Sequence, residues 1–313
     1  MRRVIHVFSP QAARFADLVA AQDPTREVVC WTERGAFDAG LGSARVLLAP
    51  YPPREGWEGA RRLELIQLCG VGADHFLPSP DLPAHVEIAG MRGAMAPDAA
   101  EHAMTMLLAL RRGLPGFLDD QRARVWRQRS VPRLAGARLA IVGLGAIGRA
   151  VASRAAAFGL EVRGVRRGGA PVAGVAQVLT PDRLEELLRW CDAVVICAPR
   201  TPETLGLIDA AALAALRDDA LLVNVSRGGL VDEAALLERL RAGTLRAALD
   251  VFEDEPLSAD SSFWDAPYTI VTPHVAGYGE GYLDRAVELL LANVARLERG
   301  EPREGLVDRA RGY

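Results

Sequence analysis

The chain contains no lysine, and all 37 of its basic residues are arginine. A pair of arginines is therefore weaker evidence for phosphate binding here than in an ordinary sequence. The 37 basic and 40 acidic residues give a formal net charge of −3. This balance gives no reason to expect a nucleic acid or a membrane surface as a partner.

Cysteine is scarce, and its spacing excludes the common cysteine motifs. The four cysteines, Cys30, Cys69, Cys191 and Cys197, form no Cys-x-x-Cys pair. We expect buried free thiols in a reducing compartment. None of the histidines has the spacing of metal ligands, so no metal is predicted.

Long apolar runs are also missing. No stretch reaches the roughly 20 residues that span a bilayer. The strand-like N-terminus is too short and turns polar too soon for a signal peptide. These features predict a cytoplasmic protein without a membrane partner, and 313 residues allow one large or two medium domains.

Short apolar strands alternate with helical patterns along most of the chain, which is typical of parallel sheets with crossover helices. Two sets of strands predict an α/β protein with two doubly wound parallel-sheet domains. The last helix is expected to return to the first domain, and the active site to lie in the cleft between the two. The predicted domain bounds are residues 1–93 for the first part of a substrate-binding domain, 94–275 for a nucleotide-binding domain, and 276–313 for the helix that returns to the substrate-binding domain.

A glycine-rich loop follows the buried strand pattern Leu139–Val142 and precedes the helical pattern Ile147–Phe158. This context gives the Gly-x-Gly-x-x-Gly motif its meaning. The first glycine permits a tight turn, the second admits a pyrophosphate, and the third lets helix and strand pack closely. The motif predicts dinucleotide binding by Gly143, Gly145, Ala146, Ile147 and Gly148.

The next strand ends in Arg166 and Arg167, where a NAD-specific protein usually carries a carboxylate for the ribose 2′-hydroxyl. An arginine would attract a 2′-phosphate instead. The pair therefore favours NADP(H), with NAD(H) as the alternative if the two arginines are only solvated.

Three polar residues follow in order: Arg227, Glu255 and His274. They supply an anion clamp, a group that tunes a proton donor, and the donor itself, which together suit reduction of a 2-keto acid by a nicotinamide hydride. Each also has a structural interpretation when taken alone. Arg227 could cap a strand, Glu255 could cap a turn, and His274 could be an ordinary loop histidine.

At this point the sequence resembles the D-isomer-specific 2-hydroxyacid dehydrogenase family over nearly its whole length. The resemblance is carried by five ordered motifs: the glycine loop, Thr201-Pro202-Glu203-Thr204, Asn224–Gly228 with Val231-Asp232-Glu233, Leu249–Leu257 and Thr272–Gly277. It implies a Rossmann cofactor domain inserted in a flavodoxin-like substrate domain.

The resemblance also implies roles for single residues. His274 would be the general acid, Glu255 would hold its tautomer, and Arg227 would grip the substrate carboxylate. Asp250 would contact the nicotinamide carboxamide. The remaining implied contacts are Pro199 and Thr204 for the cofactor, and Tyr51, Val71 and Gly72 for the substrate.

The implied activity is NAD(P)H-dependent reduction of a small 2-keto acid, such as glyoxylate or hydroxypyruvate, to a D-2-hydroxy acid by a homodimer. Arg92, if it faced the substrate, would favour a second anionic group such as a phosphate. Short-form phosphoglycerate dehydrogenase is an alternative, since no regulatory domain follows the last helix. Glu255 argues against formate oxidation on the same scaffold. The motifs do not exclude phosphite oxidation, but it is a weaker alternative. A non-catalytic dinucleotide-sensing protein is a third alternative.

Overall fold

The computed structural model describes residues 4–313. The chain forms two compact units, one of Met1–Met95 with Gly279–Tyr313 and the other of Ala96–Tyr278. The breaks between the units therefore follow residues 95 and 278, where the sequence analysis placed them after 93 and 275.

The first unit is built on a five-stranded parallel sheet of order β2-β1-β3-β4-β5. This is the flavodoxin-like order. Its strands are β1 (Val4–Phe8), β2 (Glu27–Trp31), β3 (Val46–Leu48), β4 (Leu65–Gln67) and β5 (Glu87–Ala89), and its helices are α1 (Ala12–Gln22), α2 (Arg34–Gly40) and α9 (Tyr282–Arg299).

Helix α9 belongs to this unit because one face of it is apolar. Ala286, Val287, Leu290 and Val294 are buried in the same core as strand β1 and helix α1. The predicted return of the last helix to the N-terminal part of the chain is thus observed.

The second unit contains a seven-stranded parallel sheet of order β12-β11-β10-β9-β6-β7-β8, the doubly wound Rossmann order. The α/β fold class is confirmed for both units. The strands are β6 (Arg138–Val142), β7 (Glu161–Val165), β8 (Gln177–Leu179), β9 (Ala193–Ile196), β10 (Ala220–Asn224), β11 (Leu245–Leu249) and β12 (Thr269–Val271). The helices are α3 (Ala96–Arg111), α4 (Leu114–Arg122), α5 (Ala146–Ala157), α6 (Leu184–Trp190), α7 (Ala210–Ala215) and α8 (Glu233–Arg241).

Three elements were not predicted from the sequence: α2, α4 and β8. Helix α4 follows Gly113 and carries Pro115 and Gly116 in its first turn, residues that usually indicate a turn or loop rather than a helix. Strand β8 has three residues at the sheet edge and is too short to show an alternating pattern. Strand β11 runs Leu245–Leu249, and the chain leaves the sheet at Asp250.

The prediction that the cysteines are buried holds for Cys69 and Cys191, but Cys197 is only half-buried and Cys30 is exposed. Cys30 lies on β2, an edge strand whose outer side has no neighbouring strand. Across residues 4–313, no helix has the length and apolar character needed to cross a membrane. The same residues contain no cluster of His, Cys, Asp and Glu suited to a metal ion.

Candidate active site

Most of the predicted site residues lie at one edge of the second sheet. All its strands are parallel, so the loops that follow them emerge at the same edge, which is where ligands bind in open α/β sheets. In chain order these loops contain the glycine motif after β6, Arg166 after β7, Pro199 after β9, Arg227 after β10, Asp250 and Glu255 after β11, and His274 after β12.

The glycine loop has a shape that fits a pyrophosphate. Gly143 has φ of +97°, and a Cβ there would lie 2.6 Å from the Ala198 nitrogen. A Cβ on Gly148 would lie 2.0 Å from the Gly143 oxygen, so the helix packs directly on the loop. At Gly145 a Cβ would meet no atom within 4 Å, which leaves open space at the start of α5. The amides of the first turn of that helix suit an anion, so these residues fit a dinucleotide.

Arg166 follows β7 and is half-buried, with its backbone N–H donating to the Leu179 carbonyl at 3.0 Å. No carboxylate among the described residues forms an ion pair with its guanidinium. Arg167 is exposed. The pKa of Glu203 is lowered mainly by a hydrogen bond from the Thr201 side chain, and the charge of Arg167 lowers it further.

The loop after β9 is shaped by its own threonines. The Thr204 hydroxyl donates to the Pro199 carbonyl at 2.6 Å and accepts from the Thr201 N–H at 2.8 Å. Ala198, just before it, contacts Gly143 of the glycine loop. The loop thus lies beside the proposed pyrophosphate site, and cofactor contacts of Pro199 and Thr204 stay predictions.

His274 and Glu255 form a directly bonded pair, with 2.7 Å between Nδ1 and Oε2. Burial raises the pKa of Glu255, but hydrogen bonds from His274 and from the Phe252 N–H, with the nearby charge of Arg227, outweigh it and lower that pKa. The ionised carboxylate can only accept, so Nδ1 carries a proton and donates. Nε2 is then the nitrogen at which His274 gains or loses a proton.

Arg227 lies in a loop that packs tightly on the Glu255 loop. Its Nη1 donates to the Ser226 carbonyl at 2.7 Å, and its own carbonyl accepts from the Asn224 side chain at 3.1 Å. A Cβ on Gly228 would lie only 1.8 Å from the Phe252 oxygen. The absence of a side chain at Gly228 therefore allows the loop that carries Arg227 to approach the loop that carries Glu255 this closely.

Asp250 is almost fully buried and holds the loop that carries His274. Its Oδ1 accepts from the Thr272 hydroxyl at 2.5 Å and the Val275 N–H at 2.9 Å, and its Oδ2 accepts from the Ala276 N–H at 2.8 Å. Its backbone carbonyl accepts from the His274 N–H at 2.8 Å. These bonds stabilise the backbone of His274 at φ of +52°, a conformation that residues other than glycine rarely adopt. Contact of Asp250 with a nicotinamide carboxamide stays a prediction.

His102, on helix α3, joins this network. Its Nε2 lies 3.1 Å from the Thr272 hydroxyl and 3.5 Å from Asp250 Oδ1. Because the Thr272 hydroxyl donates its proton to Asp250, it accepts from His102, which places a proton on Nε2. His102 is not among the site residues predicted from the sequence. No local motif reveals the contact, since it joins residues 170 positions apart.

The substrate residues predicted for the N-terminal part lie together at the carboxyl edge of the first sheet. Tyr51 follows β3 and is 71% exposed. Val71 and Gly72 follow β4, and Arg92 follows β5; all three are half-buried. The Met91 N–H donates to the Gly70 carbonyl at 2.9 Å, so the last two loops are in contact.

The fold and these loops define a dinucleotide-binding α/β protein with an arginine–carboxylate–histidine set beside the nucleotide site. The family model of the D-isomer specific 2-hydroxyacid dehydrogenase NAD binding domain matches residues 104–276. This is more than half of the chain, and the chain belongs to that family, which confirms the resemblance seen in the motifs.

Named relatives cover the chain to different extents. It is 37% identical over 230 residues to D-3-phosphoglycerate dehydrogenase of Mycobacterium leprae, covering 72% of this chain but only 43% of that protein. It is 31% identical to glycerate dehydrogenase of Methylorubrum extorquens, covering 87% of this chain and 88% of the relative. The chain thus spans less than half the length of the phosphoglycerate dehydrogenases it matches.

A solved structure matches both units. The NADPH-dependent glyoxylate/hydroxypyruvate reductase of Sinorhizobium meliloti, in complex with NADP and sulfate, has a TM-score of 0.90 and 30% identity. The match covers 100% of each chain.

Proposed function

We propose that this protein reduces a small 2-keto acid, of the glyoxylate or hydroxypyruvate type, to a D-2-hydroxy acid with a nicotinamide cofactor. The observation that carries the proposal is the His274–Glu255 hydrogen bond of 2.7 Å, formed where the Arg227 loop packs on the Glu255 loop. A proton donor, its orienting carboxylate and a cation for the substrate carboxylate are what this reaction requires of a protein.

The dinucleotide would be held by the glycine loop and the first turn of α5, and when bound it supplies the hydride. Arg227 binds the keto-acid carboxylate through its planar guanidinium and polarises the carbonyl. The imidazolium of His274 donates its Nε2 proton to the carbonyl oxygen, while Glu255 stabilises the positive ring and fixes its orientation. In the first unit, the backbone N–H groups of Val71 and Gly72 are the proposed donors to a substrate carboxylate.

The variant Arg227→Lys tests whether the Arg227 guanidinium binds the substrate carboxylate. Lysine keeps the charge but lacks the bidentate fork, so kcat/KM for the keto acid should fall by about 10- to 100-fold, the size expected from loss of one charge-assisted hydrogen bond. Wild-type affinity for the keto acid in this variant would contradict the assignment.

For the cofactor we propose a preference for NADP(H) over NAD(H), carried by Arg166. It directly follows β7, it has no carboxylate partner among residues 4–313, and its charge suits a 2′-phosphate. The S. meliloti reductase of similar fold binds NADP. Arg166→Asp should reverse the preference toward NADH, and Arg14→Asp, on the exposed face of α1, carries the same change of charge as a control. An unchanged cofactor ratio would show that Arg166 does not contact the phosphate.

The reaction is tested by initial rates of NADPH and NADH oxidation against glyoxylate, hydroxypyruvate, pyruvate, phenylpyruvate and 3-phosphohydroxypyruvate. Turnover that is faster with NADPH, with glyoxylate or hydroxypyruvate as the best substrate, supports the proposal. A strong preference for 3-phosphohydroxypyruvate would support the second candidate, phosphoglycerate dehydrogenase, which the M. leprae relative favours. Tight binding of NADPH without turnover of any keto acid would indicate a dinucleotide sensor.

We further propose a homodimer formed through α4 and the segment after it. No residue of α4 is buried, and Leu114, Leu118, Val125 and Trp126 are 40–93% exposed, a concentration of apolar surface that marks an interface. Sedimentation should give twice the 33.6 kDa of one chain, and Trp126→Asp should give the monomer. Phe158→Asp, at an exposed position outside this segment, is the control. A monomeric wild-type protein would refute the proposal.

A further inference from the structure

Arg92 differs from Arg303 and Arg309 of the first unit, whose guanidinium groups have hydrogen-bond acceptors. Arg303 pairs with Glu87, and Arg309 donates to the carbonyls of Pro83 and Leu82 at 2.8 and 2.9 Å. Among residues 4–313, none accepts a hydrogen bond from Arg92, although its Nη2 is enclosed by protein. An enclosed charged donor without a partner is costly, so such a group usually serves a ligand, an ion or an ordered water.

The loop that carries Arg92 is held in place from two sides. The Met91 N–H donates to the Gly70 carbonyl, and the Gly90 N–H donates to the Gly305 carbonyl, both at 2.9 Å. A Cβ on Gly90 would lie 3.0 Å from the Gly70 oxygen, so the two backbones touch. A fixed backbone next to the Gly70–Gly72 loop places Arg92 beside the proposed carboxylate-binding amides.

The guanidinium also lies over an aromatic ring. Its Cζ lies 5.9 Å from the centre of the Tyr313 ring, within the range of a cation–π contact. The backbone near this ring is closed by a hydrogen bond from the Asp308 N–H to the Tyr313 carbonyl at 3.1 Å. This contact satisfies the face of the guanidinium but none of its N–H groups, which lie in its plane.

We propose that Arg92 binds a second anionic group of the substrate, a carboxylate or a phosphoryl group at the end remote from the keto acid. The inference rests on the proposed function, since it takes Val71 and Gly72 as the site of the first carboxylate. Arg92 then extends the substrate range of the proposed reductase to doubly anionic 2-keto acids, whereas glyoxylate has no second group that could bind it.

The test compares kcat/KM for glyoxylate, hydroxypyruvate, oxaloacetate and 3-phosphohydroxypyruvate in wild type, Arg92→Gln and Arg92→Lys. The glutamine variant should lose about 10- to 100-fold on the doubly anionic substrates, the size of one charge-assisted hydrogen bond, and stay within about twofold on glyoxylate. The lysine variant should lose less. Arg62→Gln, on the exposed surface of the same unit, is the control. Whichever of the two doubly anionic substrates loses more identifies the anion.

Calorimetric titration with D-3-phosphoglycerate and D-glycerate separates the two proposals. Binding of D-3-phosphoglycerate that depends on Arg92, in a protein that turns over no keto acid, would keep the anion site and overturn the reductase. Turnover of glyoxylate with equal losses on all substrates in Arg92→Gln, or with no loss on any, would overturn the anion site and keep the reductase.

Discussion

Replacement of Asp250 by asparagine tests whether this buried carboxylate holds the His274 loop. Asparagine has the same shape but only one acceptor oxygen, whereas the two Asp250 oxygens accept from Thr272, Val275 and Ala276. The new NH₂ group must therefore face at least one donor. Losing one charge-assisted hydrogen bond and leaving donors unmatched costs about 2–4 kcal/mol.

This cost should be visible in thermal unfolding and in turnover. For a unit of this size, about 3 kcal/mol lowers Tm by about 6–12 °C. Release of the loop also lets His274 relax from φ of +52°, and a displacement of about 1 Å at a reacting group costs about 100-fold in kcat. Asp265→Asn, at an exposed position of the same unit, is the matched control.

The pH dependence has a defined sign. Burial raises the pKa of Asp250, but hydrogen bonds from His102, Thr272 and the two amides outweigh it and lower that pKa. The stabilisation is present above the ordinary aspartate pKa of about 3.9 and is lost as the pH falls through the lowered value of the folded state. The wild-type advantage in Tm over Asp250→Asn should therefore shrink in acid. A Tm and kcat equal to those of the Asp265→Asn control, with only cofactor affinity reduced, would refute the reasoning and assign Asp250 to the cofactor.

Two further variants probe the pair beside this loop. His274→Gln should reduce turnover far more than NADPH affinity, because it removes only the proton donor. It should also raise the pKa of Glu255, measurable by carbon NMR titration, because the hydrogen bond and the charge of the imidazole that lower this pKa are lost. Intact turnover with weakened cofactor binding would contradict that role. Gly228→Ala should lower both Tm and kcat, because its Cβ would lie 1.8 Å from the Phe252 oxygen, whereas Gly35→Ala, where a Cβ meets no atom within 4 Å, should change neither. Equal Tm values for the two glycine variants would show that the loops can separate freely.

Much of the fold follows from local patterns. The buried strand β6, the glycine turn and helix α5 lie within one residue of their expected positions because each is defined by neighbouring residues. Arg227, Glu255 and His274 were found because each stands in a short motif after a strand. Parallel strand order then brings such residues to one edge. Helix α4 was not predicted because Gly113, Pro115 and Gly116 at its start are residues typical of turns.

What the sequence determined by itself is therefore the set of chemical groups and the local turns that present them. Only the tertiary structure decided which of those groups meet. The contact of His102 with Thr272 spans 170 residues, and the three donors to the Asp250 carboxylate come from a different loop. The missing acceptor of Arg92 is likewise a property of everything packed around it. Contacts of this kind depend on how distant segments pack, and neither periodicity nor spacing along the chain encodes that.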